Sequence, residues 1–235
     1  MLQLKKVSVK IGDKKILHNI SYEFKKGKVY ALMGPNGSGK STLAQTVMGS
    51  PVYEVSGTTL FKGKPISKLD AAERAKKGIF LSFQSPQSLS GVNIFQLLRL
   101  SMSGKMEPLA LSKKMKKIAA DLKIKEELLS RSLNQDFSGG EKKKMEVLQA
   151  AVLDADVMFF DEIDTGCDVD ALKLIGKYLK KLANEDKTIV LITHYTRLLS
   201  YIGPDVVLVL KDGRLVKEEK GSYAHVIEKK GYAEV

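Results

Sequence analysis

This sequence predicts an α/β architecture on a mainly parallel sheet, and three observations carry the prediction. Apolar runs of strand length recur with helix-like stretches between them, a glycine-rich turn at Gly34–Thr42 joins one strand to a helix, and another strand ends in Asp161-Glu162. Strands that alternate with helices imply right-handed crossovers, which lay the strands parallel and cover both faces of the sheet. With 235 residues, 43% of them hydrophobic, the chain is long enough for one or two domains with a substantial core.

Residues 1–26 alternate at Val7, Val9 and Ile11 and again at Ile20, Tyr22 and Phe24, which predicts short antiparallel strands. The apolar strand Val29–Met33 runs into the glycine turn, and a helix follows to about Met48. A strand pair is expected over Pro51–Phe61. Ser67, with Asp70 three residues on, opens a helix that Gly78 closes. Ile79–Phe83 reads as a buried strand ending at Gln84. From Pro86 to Phe137 the period is helical, marked by Ile94, Leu97, Leu98, Leu111, Met115, Ile118 and Leu122, with no strand-like run. This stretch reads as a helical insertion whose apolar ridges include Met102, Met106 and Met115. Further on come a helix over about 141–153, the strand Val157–Phe160, a helix over about 169–184, the strand Thr188–Ile192, a short helix and the strand Val206–Leu210.

Composition narrows the function classes. Lys+Arg number 39 against 27 Asp+Glu, a formal +12. The densest basic runs, Lys113–Lys117 and Lys142–Lys144, lie in helix-like segments where a solvated face is the ordinary outcome, so no nucleic-acid partner is expected. Met1–Lys6 lacks the apolar stretch of a signal peptide, and no uncharged run approaches the roughly 20 residues that span a bilayer. A cytoplasmic protein without direct membrane insertion is expected. The single cysteine, Cys167, permits no internal disulfide and cannot alone build a zinc or iron–sulfur site.

Gly34-Pro35-Asn36-Gly37-Ser38-Gly39-Lys40-Ser41-Thr42 matches the phosphate-loop pattern between a strand and a helix. Its glycines let backbone N–H groups turn inward around a β-phosphate, and the helix start adds partial positive charge. Lys40 brings a point charge to the β/γ-phosphates, Ser41 a hydroxyl for Mg²⁺, and Thr42 reaches the α-phosphate. Asp161, at a strand's carboxyl end, is expected to hold Mg²⁺ through its water shell, and Glu162 to polarise the water that attacks the γ-phosphate. Adjacent acids after a strand also suit a solvated turn; their pairing with the phosphate loop favours the site. Gln84 and His194 end strands at the same edge. Gln84 suits Mg²⁺ or the attacking water, and His194 suits the γ-phosphate, whereas His18 and His225 read as ordinary surface residues.

Phe137-Ser138-Gly139-Gly140-Glu141 resembles the signature motif of ABC-type ATPases, usually written LSGGQ. Taken with Gly34–Thr42, Gln84, Phe160–Glu162, Asp164–Asp168 and His194, the whole chain looks like a single ABC ATP-binding domain. Such a P-loop NTPase has a core, here 1–85 and 138–235, an antiparallel β subdomain and a helical subdomain, here about 86–137. The resemblance implies ATP and Mg²⁺ as cofactors and a transient ATP-dependent homodimer packed head to tail. ATP then lies between one copy's phosphate loop and the other's Ser138, Gly139 and Gly140, with Asp164 and Asp168 at the dimer contact. Within the family the finer resemblance is to the SufC-type ATPases of iron–sulfur cluster assembly. It rests on Lys142-Lys143-Lys144, Glu146-Val147-Leu148-Gln149, Asp161–Leu172, Thr193-His194-Tyr195 and Phe83-Gln84-Ser85-Pro86. It implies ATP hydrolysis that drives a SufB–SufD-like scaffold; the alternative is the ATP-binding subunit of a membrane ABC transporter. A DNA-associated ABC ATPase would insert long coiled coils before the signature, and the stretch from Gln84 to Ser138 has no room for them. Many family members stack adenine on an early aromatic, but here that place falls near Ile11, so the base contact is expected to be apolar. Tyr30 reads as core and Cys167 as a small buried residue.

Overall fold

The computed structural model describes residues 1–184, 186–193 and 195–232. The chain begins with the hairpin strands β1 (Leu2–Ile11) and β2 (Lys14–Phe24), then enters β3 (Val29–Met33) and α1 (Lys40–Met48). β4 (Glu54–Phe61) and the two-residue β5 (Lys64–Pro65) follow, then α2 (Ala71–Lys77) and β6 (Ile79–Leu81). The next stretch holds β7 (Leu89–Asn93), α3 (Ile94–Ser101), α4 (Pro108–Asp121), α5 (Glu126–Ser130) and β8 (Ser132–Leu133). α6 (Gly139–Val152), β9 (Val157–Asp161), α7 (Val169–Asn184), β10 (Thr188–Ile192) and α8 (Thr196–Ile202) continue the alternation. β11 (Val206–Lys211), β12 (Arg214–Lys220) and α9 (Tyr223–Lys230) come last.

A six-stranded sheet in the order β12-β11-β3-β10-β9-β6 forms the centre, parallel throughout except for the antiparallel edge strand β12. β3 lies between β10 and β11, which follow one another in sequence, so the strand order reverses around it. Crevices at such reversals, beyond the carboxyl ends of the strands, are where open α/β sheets bind ligands. A separate antiparallel sheet, β2-β1-β4-β5, carries the N-terminal strands.

Alternation along the buried strands divides their side chains between two cores. Val29, Ala31 and Met33 of β3 and Met158 and Phe160 of β9 face the core shared with the helices, including Met102 and Met115. Tyr30 and Leu32 of β3 and Val157 and Phe159 of β9 face the antiparallel sheet and α1. There Phe24 meets Tyr22, Tyr30 and Phe159 edge to face, the geometry that aromatic quadrupoles favour. Tyr30 is core, and its hydroxyl is satisfied by the Lys25 N–H at 2.7 Å.

Several elements depart from expectation. The first two strands are long, at 10 and 11 residues. Over Pro51–Phe61 there is one strand, β4, and its hairpin partner is β5 beyond that range. Asp70, not Ser67, caps α2 through a reciprocal capping box with Glu73, while the Ser67 hydroxyl accepts from the Thr59 N–H at 3.1 Å. The stretch 86–137 is mainly helical but includes the small antiparallel ribbon β7-β8, joined across some forty residues.

One buried cation fastens the helix that follows the glycine turn. The Arg74 guanidinium is 5% exposed and donates to the α1 carbonyls of Thr46 and Val47, each at 2.9 Å, and to Leu69 O at 2.9 Å. Thr46 and Val47 lie in the last turn of α1, where a positive charge also favours the helix dipole; the Thr46 carbonyl accepts from the Gly49 N–H as well, at 3.1 Å. Arg74→Met removes the guanidinium donor from the Val47 and Leu69 carbonyls, so we expect a loss of about 3 kcal/mol in urea unfolding at unchanged m-value. A loss below about 0.5 kcal/mol, the level of an ordinary surface change, would contradict this role.

Candidate active site

β3 is buried along all five residues and delivers Gly34 at its carboxyl end. A Cβ on Gly34 would overlap the Leu210 carbonyl oxygen of β11, so only glycine lets the loop pass this close to the sheet. α1 then starts with no side-chain cap and no acidic residue in its first turn, which leaves its positive end for an outside anion. The Lys40 side chain, 6% exposed, folds back to donate to the carbonyls of Gly34 and Pro35, both at 2.9 Å. Burial lowers its pKa, and the charges of Asp161 and Glu162 oppose that shift.

Asp161, the last residue of β9, is 3% exposed, and its N–H donates to the Ser82 hydroxyl at 3.0 Å. Burial raises the pKa of its carboxyl, while a hydrogen bond with the Ser41 side chain works the other way. Its Oδ1 is buried with no hydrogen-bond partner, a state that costs free energy until a cation or its water shell meets the oxygen. The donor set of Asp161 and Ser41 therefore fits a hard divalent ion.

Glu162 has left-handed backbone, φ +50°, an uncommon conformation for a non-glycine residue. Its N–H donates to Ile192 O at 2.9 Å, and its carboxylate accepts from Gln84 Nε2 at 3.0 Å. Gln84 itself lies on a turn, not on the strand: β6 stops at Leu81, and Phe83 is 69% exposed. The physical reason is distant in sequence, since the Phe83 N–H is taken by the buried carboxylate of Glu146 on α6 at 2.7 Å.

A cleft of about 680 Å³ gathers residues 36, 37 and 39–42 of the loop with Gln84 and Glu162. Gly34 and Ser38 are buried outside its lining, and Pro35 enters only as an acceptor for Lys40. The opposite wall is Lys14, Lys15, Ile16 and His18 from the hairpin with Asp212 and Gly213, and none of these stood out in the sequence. Ile11 is 42% exposed and does not line the cleft; the apolar side chain in the lining is Ile16. His18, read as an ordinary surface residue, stands in the wall because its N–H is tied to Gly213 O at 2.9 Å.

Other expected residues lie apart. Asp164, 7% exposed, accepts from the Thr193 hydroxyl and borders a smaller hollow of about 420 Å³ with Asn36, Glu162, Thr165 and Tyr195. Asp168 accepts from the Ala171 N–H at 2.7 Å at the start of α7. Both carboxylates are thus engaged within the chain. Ser138 caps α6, accepting from the Glu141 N–H at 3.3 Å, while its own N–H donates to Glu141 at 2.8 Å. Ser138 and Gly139 are exposed and line neither hollow. A Cβ on Gly139 would overlap the Gly166 carbonyl oxygen, so the glycine here serves close packing of two loops. Cys167 is half-buried, not fully buried, and burial pushes its thiol up to about 11. His194 lies outside the described residues. Among the described residues no helix is long and apolar enough to cross a membrane.

The family model described as ABC transporter matches residues 17–165. The probable ATP-dependent transporter ycf16 of Trieres chinensis is 39% identical over 99% of this chain and 96% of its own length. Vegetative protein 296 of Bacillus subtilis (strain 168) is 41% identical over 98% of this chain and 91% of its own. Among solved structures, the dimeric post-hydrolysis state of an ATP-binding cassette bound to ADP and Pi superposes with a TM-score of 0.80 at 25% identity, covering 94% of this chain and 98% of that one. With the phosphate loop, the acidic strand end and the capped signature helix in their places, the chain belongs to the ABC transporter family.

Proposed function

We propose that this ABC ATPase hydrolyses Mg²⁺·ATP between two head-to-tail copies, and that the motion drives a SufB–SufD-like scaffold in iron–sulfur cluster assembly. One observation carries the catalytic part: the Glu162 carboxylate, held by Gln84, stands in the same open cleft as buried Lys40, while Ser138–Gly140 lie at a separate exposed edge. A single copy thus offers a phosphate cradle without the signature, and a second copy can supply it.

In this reading the amides of residues 37–42 and the Lys40 ammonium bind the β- and γ-phosphates. Ser41, Gln84 and Asp161 would hold Mg²⁺, which neutralises charge on the phosphate oxygens when bound. Glu162 takes the proton of the water whose oxygen bonds to the γ-phosphorus as the bond to the β–γ bridging oxygen breaks, releasing ADP and phosphate. The Gln84 amide hydrogen bond aims that carboxylate. His194 donates to the γ-phosphate, a role read from its place in the sequence at the end of an apolar strand. The partner's Ser138, Gly139 and Gly140 complete the γ-phosphate site, for which the Ser138–Glu141 capping box must loosen or rotate. The Asp164 and Asp168 loops meet across the dimer.

The cluster-assembly role draws support from the resemblance over residues 142–149 and 161–172, and the absence of a cysteine ligand set suits a chain that supplies motion only. A second reading, the motor of a membrane transporter, is favoured by the match to the ABC transporter family and by the likeness to the probable ATP-dependent transporter ycf16.

Glu162→Gln should keep ATP bound, hydrolyse it about 10²–10⁴ times more slowly and elute as a dimer with Mg²⁺·ATP in size-exclusion chromatography. Turnover like that of the unmodified protein would remove Glu162 as the base. For the pathway, tagged protein is recovered from its source cell after gentle detergent lysis, and co-purifying chains are identified by mass spectrometry. Two soluble scaffold proteins are expected; integral membrane subunits in their place would establish the transporter reading.

A further inference from the structure

The second turn of α6 carries an ion pair that the catalytic reading does not use. Lys143 and Glu146, three residues apart on one helix face, are 4% and 3% exposed, and Lys143 Nζ lies 3.5 Å from Glu146 Oε2. Both reach the backbone before Gln84: Glu146 Oε1 accepts from the Phe83 N–H at 2.7 Å, and Lys143 Nζ donates to Phe83 O at 3.4 Å and Gln84 O at 3.2 Å. Buried pairs repay their desolvation poorly as stabilisers, and their best-attested use is to fix one geometry among several. What this pair fixes is three backbone groups of one turn, the Phe83 N–H and the Phe83 and Gln84 carbonyls, and the next link outward is Gln84 Nε2 on Glu162 at 3.0 Å.

We propose that Lys143 and Glu146 are positioning residues, a clasp that ties the Gln84 turn to the signature helix and so aims Gln84 at Glu162. The proposal rests on the ATPase reading above. It also makes the exposed Ser138 end of α6 and the Gln84 turn one mechanical unit, so that contact at the signature in one copy is felt at the base of its own cleft.

The test replaces both charges at nearly constant shape, Lys143→Met with Glu146→Leu, a change that buried pairs commonly tolerate without unfolding. We expect kcat to fall on the order of tenfold with the affinity for a fluorescent ADP within about twofold, because the loss is one of aim and not of binding. Glu146→Gln, whose amide oxygen still accepts from Phe83, should recover most of the loss. In a Gln84→Ala background the clasp substitutions should cost little more, since the side chain they aim is gone. Hydrogen exchange at the Phe83 amide, read without nucleotide, should quicken in the double variant. Equal fractional losses in both backgrounds would reduce the pair to a structural role and overturn the proposal, as would unchanged kcat in the exchange-quickened variant. If the unmodified protein hydrolyses no ATP, it is the proposed function that fails, and an unchanged Phe83 exchange rate would then overturn the clasp separately.

Discussion

Two charges kept from water at one sheet edge set the terms for everything around them. Lys40 opens α1 and Asp161 ends β9, and burial pushes each toward its neutral form while each steadies the other's charge. Lys40 rests on two carbonyls that hold it without neutralising it, and Asp161 keeps one oxygen without a hydrogen-bond partner. Such an arrangement is costly in isolation, and in the proposed function a polyphosphate and a divalent cation would relieve that cost together. The uncapped start of α1 and the glycine passage beside Leu210 serve the same anion. Arg74 of α2 fastens the far end of α1 through its last carbonyls.

The signature helix works by other means. Its first residues are exposed and self-satisfied through the Ser138–Glu141 box, and they pack against Gly166 instead of the cleft. The signature residues thus lie outside the cleft of their own copy, and in the proposed head-to-tail dimer the two would meet across the interface. Inside the copy, the Lys143–Glu146 pair ties the second turn of α6 to the backbone at Phe83 and Gln84, so the signature helix is linked to the turn that carries Gln84.

How much of this was legible in the sequence follows from how local each feature is. The phosphate loop, the acidic strand end and the Ser138–Glu141 motif are each built from residues within nine positions of one another, so their patterns are visible in the sequence without knowledge of the fold. β6 was read two residues too long because the group that draws Phe83 out of the sheet is Glu146, 63 residues away. The β7-β8 ribbon pairs Leu89 with Leu133, and a two-residue strand has too few positions to show alternation. The hairpin wall of the cleft was missed for a similar reason. His18 is placed by a bond to Gly213, and Ile16 lies on a hairpin too polar at Lys14 and Lys15 to mark itself. Asp164 and Asp168 lie between β9 and α7, and their carboxylates are engaged within the chain, a matter of side-chain geometry that spacing does not carry.

That the catalytic site is shared between two copies is tested most directly with Ser138→Arg. The residue lies outside the cleft of its own chain, so a fluorescent ATP analogue should still fill that cleft with unchanged affinity and the variant should keep its fold by thermal unfolding. Turnover should nonetheless fall by about a hundredfold or more, since the arginine bars the signature from the γ-phosphate of the facing copy. Full turnover in a folded Ser138→Arg protein would mean that one chain completes the reaction alone, and would contradict the shared site.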